Sequence, residues 1–365
     1  MRKSAGLGAP IWIGFAIGIG LAIGLWSSIH RENGDRRSGA VLSQEDARME
    51  VMPVASQEAA MDDSPISVSD DYHEPDIRVY LADEHRVEMV PLETYVQGVI
   101  AGEMPLEFHP AALEAQAIAA RTYVVRRLWL HDRSGVPVGG ADVTNTQDNQ
   151  IYRSLAEMKE LQEKDGDGWL KAKEAVKSTE GEIITYGGEP IEALFFSTSN
   201  GYTENSEEVF SAKLPYLRSV ESPWDKAESP RAQETVEMKL ADFYDKLGVD
   251  SIAAGKSAGR TQPIRILAWT EGRRVKELLA GDRKFSGVEV RKRLGLRSAA
   301  FDWKVTGDDL ILTVYGSGHG VGMSQWGAEG LAKSGKSSHQ ILEHYYIDAR
   351  IEQVSKLVKR SGNAF

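Results

Sequence analysis

The sequence predicts an α+β protein with a single membrane-spanning helix, a disordered acidic stalk and one globular domain of mixed helices and strands that contains a substrate groove. Three observations predict this organisation: an uncharged apolar run near the N-terminus, an acidic stretch after it, and alternating helical and strand patterns from Ile77 onward. The predicted parts are an anchor (1–29), a linker (30–76), a globular domain (77–352) and a C-terminal tail (353–365).

The predicted anchor lies between Lys3 and His30, which enclose 26 uncharged residues. About 20 apolar residues at ~1.5 Å rise each suffice to cross a bilayer. A cleaved signal peptide is the alternative, but no clear small-x-small cleavage site follows the run, which is long for a signal peptide. The flanking charges do not decide the orientation. Because the N-terminal tail is very short, we expect it in the cytoplasm and the globular domain outside the cell membrane.

The predicted stalk is marked by its composition. Residues 41–76 contain ten acidic residues and a single basic one, Arg48, and three prolines interrupt the stretch. Such a segment cannot bury enough apolar surface to offset the entropy of ordering, so we predict disorder.

Patterning in the globular part predicts its elements in order. A hairpin over 77–90 leads into a short helix over 91–105, and Pro110 opens a long helix that runs to about Leu130. Further elements are predicted as follows: a helix near 169–178, strands at 182–186, 191–196 and 310–315, a polar connection with one helix over 221–261, a hairpin over 264–278, and helices at 288–294 and 338–346.

Composition excludes several classes of function. The net charge of −11 argues against a nucleic-acid partner, since a nucleic-acid coat needs a basic surface to meet phosphates. The chain has no cysteine, which excludes disulfides, a thiol nucleophile and cysteine-ligated metal sites. Its 8 histidines are scattered without an H-E-x-x-H motif, so we predict no metal and no cofactor.

Glu103 is the strongest candidate for chemistry. It stands between Gly102 and Met104, at the end of an apolar segment. Desolvation raises the pKa of a carboxyl group, as a general acid at neutral pH requires. The alternative is a structural carboxylate that closes the end of a helix, and the residues alone leave both interpretations open.

Arg121 is the second candidate, because it falls with Glu114 inside the wide apolar arc of the long helix. A buried charge is costly unless it is paired. Two interpretations follow. Either Arg121 and Glu114 form a structural ion pair, or Arg121 reaches beyond its helix toward the turn that holds Glu103.

A glycine-rich segment spans residues 316–327. Alternating glycines indicate a backbone that approaches something closely. The segment lacks the Lys-Ser/Thr ending of a phosphate loop and the frame of a dinucleotide fingerprint. The sequence around Ser324 lacks the second glycine of a G-x-S-x-G nucleophile elbow.

Several long motifs in fixed order carry a family resemblance. They are L-E-x-Y-V-x-G-V-I-A-G-E-M-P at 92–105, A-Q-A-I-A-A-R-T-Y at 115–123, S-T-S-x-G-Y-T-E-N at 197–205, P-Y-L at 215–217 and G-H-G-V-G-M-S-Q at 318–325. With these motifs, and with its apolar N-terminus, the sequence resembles the stage II sporulation protein D family over roughly 77–352.

The resemblance implies a membrane-anchored lytic transglycosylase that cleaves denuded peptidoglycan strands during sporulation engulfment, between the mother-cell and forespore membranes. It implies Glu103 as the essential acid and base. It also implies a substrate groove lined by Arg121, by Ser197, Ser199, Asn200 and Gly201 of a serine-rich turn, and by His319, Gly320 and Gln325 of the glycine segment.

The resemblance further implies partners: a sporulation amidase of the stage II sporulation protein P type and a membrane scaffold of the stage II sporulation protein M type. Relatives often carry glycine at the position of Asn200, which also tolerates a positive φ. Some relatives hold zinc through Cys and His, a site that a chain without cysteine should lack. Because an arginine bonded to Glu103 would lower its pKa, we expect Arg121 to contact sugar or Glu114 instead.

Two alternatives to catalysis stay open at this point. In the first, the domain is a non-catalytic, glycan-binding enhancer of a sporulation N-acetylmuramoyl-L-alanine amidase, and Glu103 contacts glycan or partner without chemistry. In the second, the protein is a purely structural anchor in an engulfment complex.

Overall fold

The computed structural model describes residues 73–137, 139–249 and 264–361. The predicted anchor (1–29) and almost all of the predicted linker (30–76) lie outside these residues. Among the described helices, none combines the length and the apolar character that a membrane crossing requires. The described residues form a mixed α/β globular domain, which confirms that part of the predicted fold class.

The domain opens with the predicted hairpin and helix. Strands β1 (Asp76–Leu81) and β2 (Arg86–Pro91) pair antiparallel, and helix α1 (Leu92–Glu103) follows directly. Strand β3 (Val143–Thr144) joins β1 in parallel.

Helix α2 (Pro110–Trp129) is the centre of the fold. Pro110 occupies its first turn, as predicted, and the His109 side chain caps it by accepting from the amide of Ala111 at 3.2 Å. Every residue over 115–122 is buried, which is about two turns, so the helix is enclosed on all sides. Its neighbours are α1, α4 (Gly166–Ser178), β4 (Glu182–Tyr186), α8 (Gln325–Lys333) and α9 (Ser338–Tyr345).

A second hydrophobic cluster lies between two three-stranded antiparallel sheets and two helices in the C-terminal half. One sheet has the order β10 (Arg283–Ser286), β9 (Val275–Ala280), β8 (Ile264–Trp269); the other has the order β11 (Phe301–Thr306), β12 (Asp309–Tyr315), β7 (Gln233–Lys239). The helices are α6 (Leu240–Leu247) and α7 (Gly287–Leu294). The predicted hairpin over 264–278 and strand at 310–315 are confirmed.

Short elements complete the domain. They are α3 (Leu155–Lys164), β5 (Glu189–Pro190), β6 (Phe195–Phe196), a 3₁₀ turn (Ser206–Glu208), α5 (Asp225–Glu228), β13 (Met323–Ser324), β14 (Arg350–Gln353) and α10 (Val354–Ser361). The predicted strand over 191–196 is wrong in extent, since only its last two residues pair, in parallel with β13. Strands β7 and β11 were not predicted, and β7 lies where we expected a polar connection.

The expected pair of Arg121 with Glu114 is wrong. Arg121 is fully buried and makes a bidentate ion pair with Glu93 of α1, at 2.8 Å from Nε and 2.6 Å from Nη2. Its Nη1 also donates to the carbonyl of Glu182 at 3.0 Å. A helical plot shows only one helix, so it could not reveal a partner on α1. Arg121 ties α1, α2 and β4 together, and a guanidinium so enclosed does not line a groove.

Candidate active site

Glu103 is the last residue of α1, and its side chain is partly buried. The backbone amide of Ile151 donates a 2.8 Å hydrogen bond to its Oε1. The Nε2 of Gln325 donates to the backbone carbonyl of Glu103 at 3.1 Å. Glu103 is thus held through its side chain by the loop after β3 and through its backbone by the start of α8.

The surroundings of Glu103 favour the protonated carboxyl. Burial raises the pKa of Glu103 to about 7, although hydrogen bonds from Ile151 and Gln325 act in the opposite direction. A position at the C-terminal end of a helix, where the dipole is negative, disfavours the carboxylate as well. Arg121 is bound to Glu93, as described above, and so does not lower this pKa through a direct contact. A carboxyl group with this pKa can either donate or accept a proton near neutral pH.

Two glycines of α1 let the loop after β3 approach Glu103. A Cβ atom at Gly102 would lie 2.5 Å from the carbonyl oxygen of Ile151, and one at Gly98 would lie 2.7 Å from that of Arg153. The amide of Arg153 also donates to the carbonyl of Gly98 at 3.0 Å. This close approach places the Ile151 amide against the carboxyl group.

The serine-rich turn and the glycine segment lie against each other. Thr198 and Ser317 exchange backbone hydrogen bonds of 2.9 and 2.8 Å, and the amide of Glu204 donates to the carbonyl of Gly320 at 2.7 Å. The amide of Trp326 donates to the carbonyl of Ser197 at 3.1 Å. Because Trp326 follows Gln325, the turn, the glycine segment and Glu103 are joined through one run of contacts.

The glycines of this segment are required by its backbone. Four of them have φ in the left-handed region: Gly316 (76°), Gly318 (116°), Gly320 (89°) and Gly322 (79°). At Gly320 a side chain would collide with the guanidinium of Arg274. Arg274 is itself buried beside Glu204, with 3.8 Å between Nη1 and Oε2. The segment is therefore packed around a buried ion pair.

A buried carboxylate, Asp225, holds the turn in place. Its Oδ1 accepts from the amide of Ser199 at 2.7 Å and from Oγ of Ser324, and its Oδ2 accepts from Oγ of Ser199 at 2.9 Å and from Oγ of Ser222 at 2.7 Å. Ser199 is buried as well. The Ser199 hydroxyl, which we expected to bind substrate, is thus buried and hydrogen-bonded to Asp225.

His319 is neutral at physiological pH. Burial lowers the pKa of His319 to about 3, and the positive charges of Arg291 and Arg274 add to this effect. Its Nδ1 accepts from the amide of Val321 at 3.1 Å, and its ring lies 5.8 Å from that of Phe196 between centroids. Because Nδ1 accepts, the neutral ring carries its proton on Nε2, which can donate a hydrogen bond, but the ring is not an acid near pH 7.

The predicted site residues therefore divide into two groups. Some leave part of their surface accessible around the turn and the glycine segment: Glu103, Ser197, Asn200, Gly201 and His319. The others are buried and position their neighbours: Arg121, Ser199, Gly320 and Gln325. Within the described ranges, no three His, Asp or Glu side chains converge as a metal-ligand set.

Comparison with known proteins agrees with the sequence motifs. A family model described as Stage II sporulation protein matches residues 80–186. The stage II sporulation protein D of Bacillus amyloliquefaciens is 42% identical over 304 residues, which cover 83% of this chain and 83% of that protein. That of Bacillus subtilis (strain 168) is 40% identical over 330 residues, which cover 89% and 90%. The chain belongs to the stage II sporulation protein D family.

A more distant relative has a different name. The protein called amidase enhancer from Bacillus subtilis (strain 168) is 28% identical over 301 residues, which cover 69% of this chain and 39% of that protein.

In this member of the stage II sporulation protein D family, the sequence did not reveal three contributors to the site. The Ile151 amide is a backbone group, so its residue type carries no signal. Asp225 stands in a polar stretch that we interpreted as a connection. Arg274 follows Arg273 in a short turn between two strands, and only its burial distinguishes it from a surface charge.

Proposed function

We propose that this protein is a lytic transglycosylase of peptidoglycan, with Glu103 as its acid and base. The observation that carries the proposal is the raised pKa of Glu103, about 7, at the end of a helix and beside the serine-rich turn and glycine segment. Membership of a sporulation family supports a substrate in the cell wall.

The chemistry needs one carboxyl group. The Glu103 carboxyl donates its proton to the glycosidic oxygen between N-acetylmuramic acid and N-acetylglucosamine as the C1–O bond breaks. The Glu103 carboxylate then removes the proton from the C6 hydroxyl of the muramic acid, whose oxygen bonds to C1. The products are a 1,6-anhydro end and a free hydroxyl end, and Glu103 is protonated again. A glycoside hydrolase would need a second carboxyl group flanking the bond.

We place this reaction at the cell membrane, with the domain between the mother-cell and forespore membranes and the N-terminus in the cytoplasm. An amidase of the stage II sporulation protein P type would supply denuded strands, and a scaffold of the M type would hold the proteins together. The support is the family resemblance and the apolar run within residues 1–29.

The test is a substitution that replaces the ionisable carboxyl group of Glu103 by an amide of the same size and shape. In the full chain, Glu103→Gln should lower the release of 1,6-anhydro products from denuded glycan by about 10²–10⁴-fold, as measured by mass spectrometry. Glu107→Gln is the matched control, because Glu107 is exposed four residues further on. Equal product release by Glu103→Gln and the unmodified chain would remove Glu103 from the mechanism.

The second candidate is a glycan-binding enhancer of an amidase, which the name of the distant relative favours. In that case the chain would raise the rate of an N-acetylmuramoyl-L-alanine amidase on intact peptidoglycan, and Glu103→Gln would leave this stimulation unchanged. The two roles can coexist, so both readouts belong on the same variants.

A further inference from the structure

We propose that a groove beside Asn200 is a subsite for a neutral N-acetylated sugar of the glycan strand, with Trp269 as its stacking surface. The inference rests on the proposed function, since it assumes a polysaccharide substrate. The groove has a volume of about 350 Å³, within the range of small-molecule sites. Its walls are formed by Asn200, Trp269, Arg273, Ala300, Phe301, Asp302 and Tyr315.

Trp269 presents an exposed indole ring at the edge of the groove. It ends β8, where alternation turns Leu267 and Trp269 to the same outer face, and its side chain is 53% exposed. The pairing of β8 with β9 is irregular on both sides of Ala268, as in bulges that redirect a side chain. An exposed aromatic ring with polar neighbours is typical of a binding surface.

The chemistry of the walls fits a sugar ring. The negative face of an indole attracts the weakly positive C–H groups that line one side of a pyranose. Hydroxyl and amide groups at the edge of the same ring can reach Tyr315, Asp302 and Asn200. An apolar wall with a few polar groups fixes the orientation of a small ligand.

The charges of the groove argue for a neutral occupant, because both are already engaged. The guanidinium carbon of Arg273 lies 4.0 Å from the centroid of the Tyr202 ring, a cation–π contact. The carboxylate of Asp302 accepts a 3.0 Å hydrogen bond from the hydroxyl of Tyr315. Because the walls contain one positive and one negative side chain, Arg273 and Asp302, they carry no net charge that would favour a phosphate or a cationic peptide over a neutral sugar.

Asn200 offers a specific polar anchor on the wall. Its Nδ2 donates to the carbonyls of Gly272 and Arg273 at 3.1 and 3.2 Å, which fixes the amide plane. Its Oδ1 is buried and has no hydrogen-bond partner among the described residues. An unsatisfied buried acceptor is unfavourable, so an opening of the wall that lets a hydroxyl or amide of a bound sugar donate to this oxygen would be stabilising.

The position of the groove connects it to Glu103. Asn200 and Ser197 belong to one turn, whose two ends are at most about 11 Å apart. Ser197 contacts Trp326, next to Gln325, which is bonded to Glu103. A strand of several sugars that follows this turn would fill the groove and present a bond to the carboxyl group, whereas a short fragment would fill only one of the two places.

The test uses the full chain carrying Glu103→Gln, which prevents turnover, and the β-1,4-linked hexamer of N-acetylglucosamine as probe. Calorimetric titration should show a dissociation constant that rises about tenfold with Trp269→Ala and about twofold with Trp269→Phe. Leu267→Ala is the matched control, because Leu267 is exposed on the same strand face but does not line the groove, and it should change affinity less than twofold. Melting temperatures equal to that of the parent, the chain that carries Glu103→Gln alone, show that the variants fold.

The outcomes are separable from those of the proposed reaction. Unchanged affinity in a folded Trp269→Ala variant, absence of hexamer binding to the parent, or equal binding of maltohexaose would each overturn the subsite. Failure of Glu103→Gln to reduce product release would overturn the reaction while leaving the binding result as it stands. With active Glu103, Trp269→Ala should raise the KM on long strands more than it lowers kcat.

Discussion

The amide of Ile151 is hydrogen-bonded to the carboxyl group of Glu103 over 2.8 Å, although 48 positions separate the two residues along the chain. The contact exists because Gly102 lets the loop lie directly on α1. The position of the Glu103 carboxyl group therefore depends on the close contact between this loop and α1.

Gly102→Ala should disrupt the contact between this loop and α1. The added Cβ would meet the carbonyl oxygen of Ile151 at 2.5 Å, and backbone cannot yield as a side-chain end can. We expect a loss of about 1–3 kcal/mol in the free energy of unfolding and a clear loss of glycan cleavage, measured by urea unfolding and product release. Gly166→Ala, in the first turn of α4 with open space around it, is the control and should be neutral or slightly stabilising. Equal effects of the two substitutions would show that the close approach is not maintained in solution.

The raised pKa of Glu103 predicts a pH dependence of activity. A general acid must be protonated in the free enzyme, so kcat/KM should fall about tenfold per pH unit above pH 7. His319 should add no ionisation near neutrality, since its pKa is about 3. A pH–rate profile on denuded glycan measures this, and a single limb near pH 4.5 would mean that Glu103 is well solvated.

The same shift predicts a pH dependence of stability. The pKa of Glu103 is about 7 in the folded protein against 4.5 without burial, so between these values the unfolded chain ionises first and folding becomes less favourable as pH rises. Glu103→Gln removes this contribution. Its stability relative to the unmodified chain should therefore increase from pH 4.5 to pH 7 by at most about 3 kcal/mol and then level off. Parallel stability curves for the two proteins would contradict the shift.

The pair of Arg121 and Glu93 should be strongly coupled. Removing one partner leaves a buried charge, so Arg121→Met and Glu93→Gln should each cost about 3–5 kcal/mol, and the double variant should cost clearly less than their sum. Urea unfolding of the four proteins gives the coupling energy. The exposed pair of Lys239 and Asp309 is the control and should couple by about 1 kcal/mol or less. Additive effects at Arg121 and Glu93 would argue against the bidentate contact.

Asp225→Asn should loosen the serine-rich turn. An asparagine offers one acceptor oxygen and an amide donor where Ser199, Ser222 and Ser324 all donate. We expect at least about 2 kcal/mol of destabilisation by thermal or urea unfolding, whereas Asp148→Asn on the exposed surface should cost less than about 0.5 kcal/mol. A stable Asp225→Asn variant would mean that the hydroxyls have other acceptors.

Local sequence was sufficient to predict the elements whose hydrophobic periodicity and turn residues lie within the element itself. The hairpin β1–β2, helix α2 with Pro110 at its start, and β12 all follow from periodicity and turn residues. Strand β7 escaped prediction, because five of its seven residues are polar or charged and none of the seven is fully buried.

The site was predictable to the extent that its chemistry is local. Glu103 could be proposed from the sequence because its own neighbours are glycine and apolar residues. The partner of Arg121 was not found, since Glu93 lies on another helix and only the packing of α1 on α2 brings it close. The surroundings of Trp269 and Asp225 are likewise formed by strands and loops that are distant in sequence, so their sequence neighbours do not indicate a role.

The four alternating glycines at 316–322 have a consequence for how this family can diversify. The left-handed backbone at every second residue of this segment admits almost no side chain, so substitutions can change its contacts only at Ser317, His319 and Val321. If the proposed glycan substrate is correct, most of the freedom to alter its preference lies outside the segment, for example in the turn between β8 and β9. Natural variants that differ in substrate should then differ in that turn more than at the four glycines.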